Sequence, residues 1–182
     1  DSILVQIDTL PPPLDASGDT LTCADTSLWL SAQSEEGVLL NWSGPTGSVA
    51  GDSLLTAQPG LYTVTAIGAN GCSRSREITV DTDTLAPQLT LLPADTLSCQ
   101  QTETLLQAQI SGGPDSLLLS WLAPGGQAAG SADSLPVSEA GLYLFEAFAP
   151  RNGCRAVDSI TVVQDLNDPV AEAGVSDTLT CL

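Results

Sequence analysis

One pentapeptide recurs three times along the chain: Asp-Thr-Leu-Thr-Cys at residues 19–23, Asp-Thr-Leu-Ser-Cys at 95–99, and Asp-Thr-Leu-Thr-Cys again at 177–181. Its cysteines lie 76 and then 82 residues apart, and a second marker, Asn-Gly-Cys at 70–72 and 152–154, repeats at a spacing of 82. The text between the markers matches as well. Residues 28–33 align with 104–109, the tryptophan runs 39–42 and 118–121 align with each other, and Gly60-Leu61-Tyr62 aligns with Gly141-Leu142-Tyr143. A third series, at residues 1–5, 76–80 and 158–162, precedes each linker. A periodic chain of this kind is read as successive copies of one small structural unit, not as one large core.

The phase of the repeats assigns residues 1–8 to the last strand of a preceding repeat, 9–83 to a first repeat, 84–165 to a second, and 166–182 to a linker and the first strand of a following repeat. On this reading the sequence is a stretch of array cut at both ends. Cys23 is then expected to pair with Cys72, and Cys99 with Cys154. Cys181 finds its partner outside the chain, which accounts for the odd cysteine count of five. The strand at residues 3–7 has two expected roles: it continues from a covalent predecessor, or it completes the sandwich of a neighbouring subunit by strand addition.

Within a repeat the apolar residues alternate. Leu28, Leu30 and Ala32 share one parity, as do Val38, Leu40 and Trp42, and Tyr62, Val64 and Ala66, with Thr63 and Thr65 between them facing water. Period-2 runs of this length are half-buried strands. Gly and Pro clusters at 44–47 and 124–126, and Asn-Gly before the second cysteine, supply turns. No window reads as a helix. About seven short strands in roughly 80 residues predict an antiparallel sandwich, with Trp42 and Trp121 in the core. Trp29 falls on the opposite parity from Leu28 and Leu30, and its counterpart is Leu105, so a contact with a neighbour or a glycan is open to it.

This arrangement resembles the tandem immunoglobulin-like or PKD-like repeats of large Bacteroidota surface proteins. The resemblance spans the whole chain and is carried by the Leu-Thr-Cys markers, the mid-repeat tryptophan, Gly-x-Tyr and Asn-Gly-Cys. It implies an all-β chain of tandem immunoglobulin-like antiparallel β-sandwiches, each with one disulfide, located outside the cell or on its surface. The second cysteine departs from the antibody pattern, lying past the tyrosine strand in the following hairpin.

Charge narrows the partners. Four arginines and no lysine or histidine stand against 22 acidic residues, for a net charge of −18. Nucleic acid and anionic membrane surfaces are therefore poor partners. No apolar run approaches the ~18–20 residues of a membrane span. The four arginines, Arg74, Arg76, Arg151 and Arg155, all lie near a second cysteine and are expected to compensate linker aspartates. With no histidine, no lysine and no phosphate-binding glycine loop, the chain is not read as an enzyme. Without histidine or a C-x-x-C pair it has no zinc site either.

The chain has 15 aspartates, and 12 of them precede serine or threonine. Ser and Thr fill about a fifth of the positions, so chance accounts for only a few of these. In ten cases Leu or Ile follows, marking Ser2, Thr9, Thr20, Ser53, Thr84, Thr96, Ser116, Ser134, Ser159 and Thr178. Asx and Ser/Thr turns at strand entries explain part of the pattern. The triplet also resembles the O-glycosylation sequon of exported Bacteroidota proteins, which implies covalent glycans at these ten hydroxyls. Acidic linkers, with Asp81, Asp83, Asp165 and Asp168, form a candidate Ca²⁺ site that would stiffen domain junctions.

The expected function is a structural component of an extracellular, O-glycosylated fibre, stalk or adhesin. Its partners would be copies of itself or adjacent repeats in the fibre, together with glycans. The alternative is a carbohydrate- or cell-surface-binding module, stiffened by Ca²⁺.

Overall fold

The computed structural model describes residues 7–167 together with Ile3, Glu172 and Gly174. Ser2, Asp168, Thr178 and Cys181, and most of the strand expected at residues 3–7, lie outside the described residues.

The first half runs β1 (Asp15–Ser17), β2 (Leu21–Thr22), β3 (Leu28–Gln33), β4 (Leu39–Gly44), β5 (Gly47–Ala50), β6 (Ser53–Thr56), β7 (Gly60–Ile67), β8 (Ser73–Val80) and β9 (Thr82–Asp83). The second half repeats the order as β10 (Gln88–Leu91), β11 (Leu97–Ser98), β12 (Thr104–Ser111), β13 (Leu118–Leu122), β14 (Ala128–Gly130), β15 (Ser134–Val137), β16 (Gly141–Phe148), β17 (Arg155–Val162) and β18 (Gln164–Asp165). No helix occurs among the described residues, as the sequence pattern requires.

Contacts divide the chain into two compact units. The first holds the described residues up to Gln88 together with Ile110–Leu118 and Ala147–Ala156; the second holds Leu89–Gln109, Leu119–Glu146 and the described residues from Val157 onward. In the first unit a three-stranded sheet, β1-β3-β6, faces a four-stranded sheet, β5-β4-β7-β8, across one core. Alternation decides which side chains enter that core. Leu28, Leu30 and Ala32 of β3 point inward while Trp29, Ser31 and Gln33 stay exposed. Tyr62, Val64 and Ala66 of β7 meet them from the opposite sheet, with Trp42 of β4 at the centre. A small parallel pair, β2 with β9, sets Leu21 opposite Thr82 and Thr22 opposite Asp83.

The sequence copies of these strands reproduce the topology. Sheets β10-β12-β15 and β14-β13-β16-β17 correspond to the two above, and β11 pairs with β18 as β2 does with β9. Leu97, Leu106, Trp121, Tyr143, Phe145 and Val162 are buried, and the rings of Trp121 and Phe145 lie with centroids 4.5 Å apart.

Both Gly-x-Tyr motifs close a corner of the sandwich. Tyr62 donates to the carbonyl of Gln58 (3.0 Å) and shares a 2.6 Å hydrogen bond with Thr56 Oγ1, while Tyr143 donates to the carbonyl of Glu139 (3.1 Å). A tyrosine bonding four residues upstream is the corner found in immunoglobulin-like sandwiches. The glycine of each motif is required by packing. Gly60 (φ 141°) and Gly141 (φ 144°) lie against Pro45 and Pro124, where a Cβ would approach the proline ring to 2.8 and 2.6 Å.

The disulfide pairing differs from the within-repeat expectation. Cys23 is bonded to Cys154, and the thiols of Cys72 and Cys99 are free. Strand geometry gives the reason. Cys72 immediately precedes β8, whereas Cys23 follows β2, whose partner β9 begins just beyond the far end of β8. Eight residues of strand span ~26 Å, and a disulfide needs its Cα atoms within about 7 Å. The eight residues of β17 separate Cys154 from β18, the partner of β11 that leads to Cys99, in the same way.

Candidate functional site

The most heavily built polar region of the first unit surrounds the Asn-Gly-Cys hairpin at 152–154. Asn152 is only 1% exposed. Its amide donates to Asp83 Oδ1 (2.9 Å) and to the carbonyl of Leu85 (3.1 Å), and its side-chain oxygen accepts from the Cys154 amide (3.1 Å). Its own carbonyl accepts from the amide of Ala24 (3.2 Å), directly beside the Cys23–Cys154 bond. A buried carboxamide with its donors and acceptor engaged fixes the hairpin in one orientation. Gly153 (φ 71°) lets the turn come against Ala24, where a Cβ would lie 2.5 Å from that of Ala24.

The first copy of the hairpin repeats two of these side-chain hydrogen bonds without the covering layer. Asn70 donates to the carbonyl of Leu10 (3.0 Å) and accepts from the Cys72 amide (3.0 Å). Leu10 and Leu85 close the matching segments Asp8-Thr9-Leu10 and Asp83-Thr84-Leu85, so each hairpin grips the linker that enters its own repeat. Asn70 is nevertheless exposed, and nothing lies within 4 Å of the Cβ position of Gly71. A groove of about 320 Å³ opens beside it, with Leu10, Pro12, Glu36 and Ala69 among its walls.

The cysteine ends of the other marker also match. After Cys23 the turn is held by Thr22 N donating to the Asp25 carbonyl (2.9 Å) and Asp25 N to Thr22 Oγ1 (2.9 Å). After Cys99 it is held by Ser98 N donating to the Gln101 carbonyl (2.8 Å) and Gln101 N to Ser98 Oγ (3.1 Å).

Of the linker carboxylates, Asp81 and Asp83 line one depression with Asp19, Asp25 and Arg151. The Asp83 carboxylate is engaged by Asn152, and that of Asp165 accepts from both nitrogens of Asn167 (3.1 and 2.7 Å). Among the described residues no group of three acidic, histidine or cysteine side chains converges as a metal site. The other arginines do varied work. Arg76 reaches Asp15 (3.9 Å) and the carbonyl of Leu14 (3.3 Å), and Arg155 stacks over Phe148 at 5.7 Å.

The hydroxyls of the Asp-Ser/Thr-apolar triplets face solvent at Thr9, Ser53, Thr84, Thr96, Ser116 and Ser159, and are half-buried at Thr20 and Ser134. Where the triplet enters a strand, the following leucine is buried at Leu21, Leu54 and Leu97 and half-buried at Leu135. Period-2 alternation thus puts an anchor in the core and its hydroxyl neighbour outside. Four aspartates lock the turn locally: Asp19 and Asp158 accept from the next amide (2.8 Å each), Asp8 accepts from the amide of Leu10 (3.1 Å), and Asp52 accepts from Ser53 Oγ (3.0 Å). Trp29 is 62% exposed and lies in register with the half-exposed Leu55 on β6.

No family model matches this sequence, and no curated protein does. Solved structures do match. A titin I-band fragment, I67–I69, aligns with a TM-score of 0.52 at 14% identity over 87% of this chain and 67% of its own. A three-domain structure of the same titin region carrying Glu-to-Ala changes aligns with a TM-score of 0.51 at 14% identity, over 86% and 66%. The chain thus spans about two thirds of each titin fragment. The ectodomain of mouse nectin-like molecule 4 also matches, with a TM-score of 0.36 at 14% identity over 88% of this chain and 66% of its own. At such low identity the likeness to titin concerns architecture alone, and it agrees with the strand order and tyrosine corners above: the chain has the fold of tandem immunoglobulin-like domains.

Proposed function

We propose that this chain is a structural segment of an extracellular fibre, stalk or adhesin of Bacteroidota type, built from tandem immunoglobulin-like repeats and decorated with O-linked glycans. The observation that supports this reading best is the Cys23–Cys154 bond, which joins the marker cysteine of one repeat to the hairpin cysteine of the next. A covalent tie between successive repeats resists extension and suits a load-bearing rod in an oxidising compartment. Of the eight described hydroxyl residues of the Asp-Ser/Thr-apolar triplets six are exposed and two half-buried, and a hydrated glycan coat there would shield the rod from proteases. The chain acts mechanically and not catalytically. Peptide mass spectrometry of native material tests the reading: sugar masses on Ser53, Thr96, Ser116 and Ser134 are expected. Bare peptides at all four would reduce the triplets to turn chemistry and remove the glycan coat from the proposal.

One observation favours the second reading, a carbohydrate- or cell-surface-binding module. Trp29 and Leu55 place an apolar platform on the outer face of a sheet, the kind of surface on which a sugar ring stacks. Saturable binding to a glycan array that disappears in Trp29→Ala would favour this reading over the spacer.

A further inference from the structure

We propose that Cys72 and Cys99 are the two open ends of a disulfide ladder, in which the Asp-Thr-Leu-x-Cys cysteine of each repeat bonds to the Asn-Gly-Cys cysteine of the next. The inference rests on the tandem-repeat reading and specifies how successive repeats are joined. Cys23–Cys154 is one rung of the ladder, fully formed within this chain. Cys99 is the counterpart of Cys23, and Cys72 is the counterpart of Cys154.

Two further comparisons inside the molecule identify what each open end receives. Asn70 bonds the linker leucine carbonyl and the hairpin cysteine amide as Asn152 does, yet Asn70 is exposed where Asn152 is 1% exposed. Gly71 (φ 79°) keeps the glycine conformation with nothing against it, where Gly153 lies on Ala24. The first hairpin is therefore shaped for a layer that the second already has, and in the second that layer is the residue pair Cys23-Ala24 of a marker. The occupant proposed for the first is accordingly a Cys-x pair of the same motif. Reciprocally, the exposed Cys99 follows a marker turn held by the same two hydrogen bonds as the turn after Cys23. It presents the same group to an Asn-Gly-Cys hairpin.

Closing a rung removes two protons and two electrons from a pair of thiols, and a low-molecular-weight or protein disulfide accepts them. The Cys99 thiolate attacks that disulfide and expels one thiol. The hairpin thiolate then attacks the Cys99 sulfur of the mixed disulfide and expels the second.

A mixed-isotope oxidation tests the ladder, with copies of this chain standing in for adjacent repeats. Equal amounts of ¹⁴N and ¹⁵N chain carrying Cys181→Ser are oxidised with glutathione disulfide, alkylated, and digested without reduction. The expected product is Cys23–Cys154 within single copies, together with Cys99–Cys72 peptides of mixed isotope. These come from disulfide-bonded multimers that step by 18.6 kDa on a non-reducing gel. Asn70→Ala, which leaves every thiol in place, is expected to lower multimer yield several-fold by releasing the hairpin. The ladder is overturned by a monomeric product with Cys72 and Cys99 both alkylated, by a same-copy Cys72–Cys99 bond, by Cys99–Cys99 dimers as the main product, or by Cys23–Cys72 with Cys99–Cys154. Each of these results concerns only how repeats are joined, and leaves the fibre reading to its own test on native glycopeptides.

Discussion

Cys23 and Cys154 are joined across 131 residues of sequence, and both belong to the first compact unit. In the chain-entropy account, a cross-link of that span stabilises by about 5 kcal/mol, against about 4 kcal/mol for the within-repeat loops the sequence suggested. Reduction, or the double substitution Cys23→Ser with Cys154→Ser, is therefore expected to destabilise the first unit by several kcal/mol. Hydrogen exchange of β4 and β7 amides, before and after reduction, measures it. Unchanged protection would show that the hairpin docks without its covalent tie.

Asn152 and Asn70 occupy equivalent positions with opposite burial, which makes them an internal control. Asn152→Ala removes three hydrogen bonds and leaves the Cys154 amide and the Leu85 carbonyl without their side-chain partner. Leaving buried groups unpaired costs about 1–3 kcal/mol each, so a loss of at least 2 kcal/mol is expected. Asn70→Ala exposes its former partners to water and is expected to cost about 1 kcal/mol or less. Denaturant unfolding of the two variants checks the order, and equal losses would contradict the burial difference.

Most of this fold was legible in the strand alternation. Leu28, Leu30 and Ala32, then Tyr62, Val64 and Ala66, enter the core on the parity their spacing predicts, and Trp42 and Trp121 are buried as their parity requires. The disulfide partner was not legible, because alternation fixes which face a residue takes but not which end of a strand meets another repeat. That choice is made by β2 pairing in parallel with β9, a contact carried by two residues on each side. Strands that short leave no periodic trace. A trace did exist in the matching segments 8–10 and 83–85, whose leucine carbonyls receive the two hairpin asparagines. Sequence comparison finds those segments but gives no reason to join them to Asn-Gly-Cys.

The two core tryptophans differ at one atom. Trp121 Nε1 donates to the carbonyl of Ala132 (3.0 Å), whereas Trp42 Nε1 is buried with no hydrogen-bond partner among the described residues. Replacing either by Phe removes similar volume from a core, so the cavity costs are comparable. Trp121→Phe also breaks a hydrogen bond, while Trp42→Phe removes an unsatisfied donor. Trp121→Phe is expected to be the more damaging by about 1 kcal/mol or more, read as the loss of amide protection in the strands flanking each site. The reverse order would mean that Trp42 has a partner the geometry does not reveal.

Tyr143 supplies a pH dependence whose direction follows from its surroundings. Burial, and secondarily the charge of Glu139, raise its phenol above the ordinary value of 10.0. The folded state therefore holds this proton more tightly than the unfolded chain does. The corresponding stability is complete below the unfolded value and is lost as pH rises through the raised folded one. Ionisation would also remove the donor that closes the corner onto the Glu139 carbonyl. Protection of β16 amides is thus expected to fall more steeply as pH rises past the ordinary phenol value of 10.0 than titration of exposed groups alone would produce. Tyr143→Phe should lower stability at neutral pH, where the corner hydrogen bond is lost, and flatten the alkaline limb. An alkaline limb that stays equally steep in Tyr143→Phe would assign the effect to other groups.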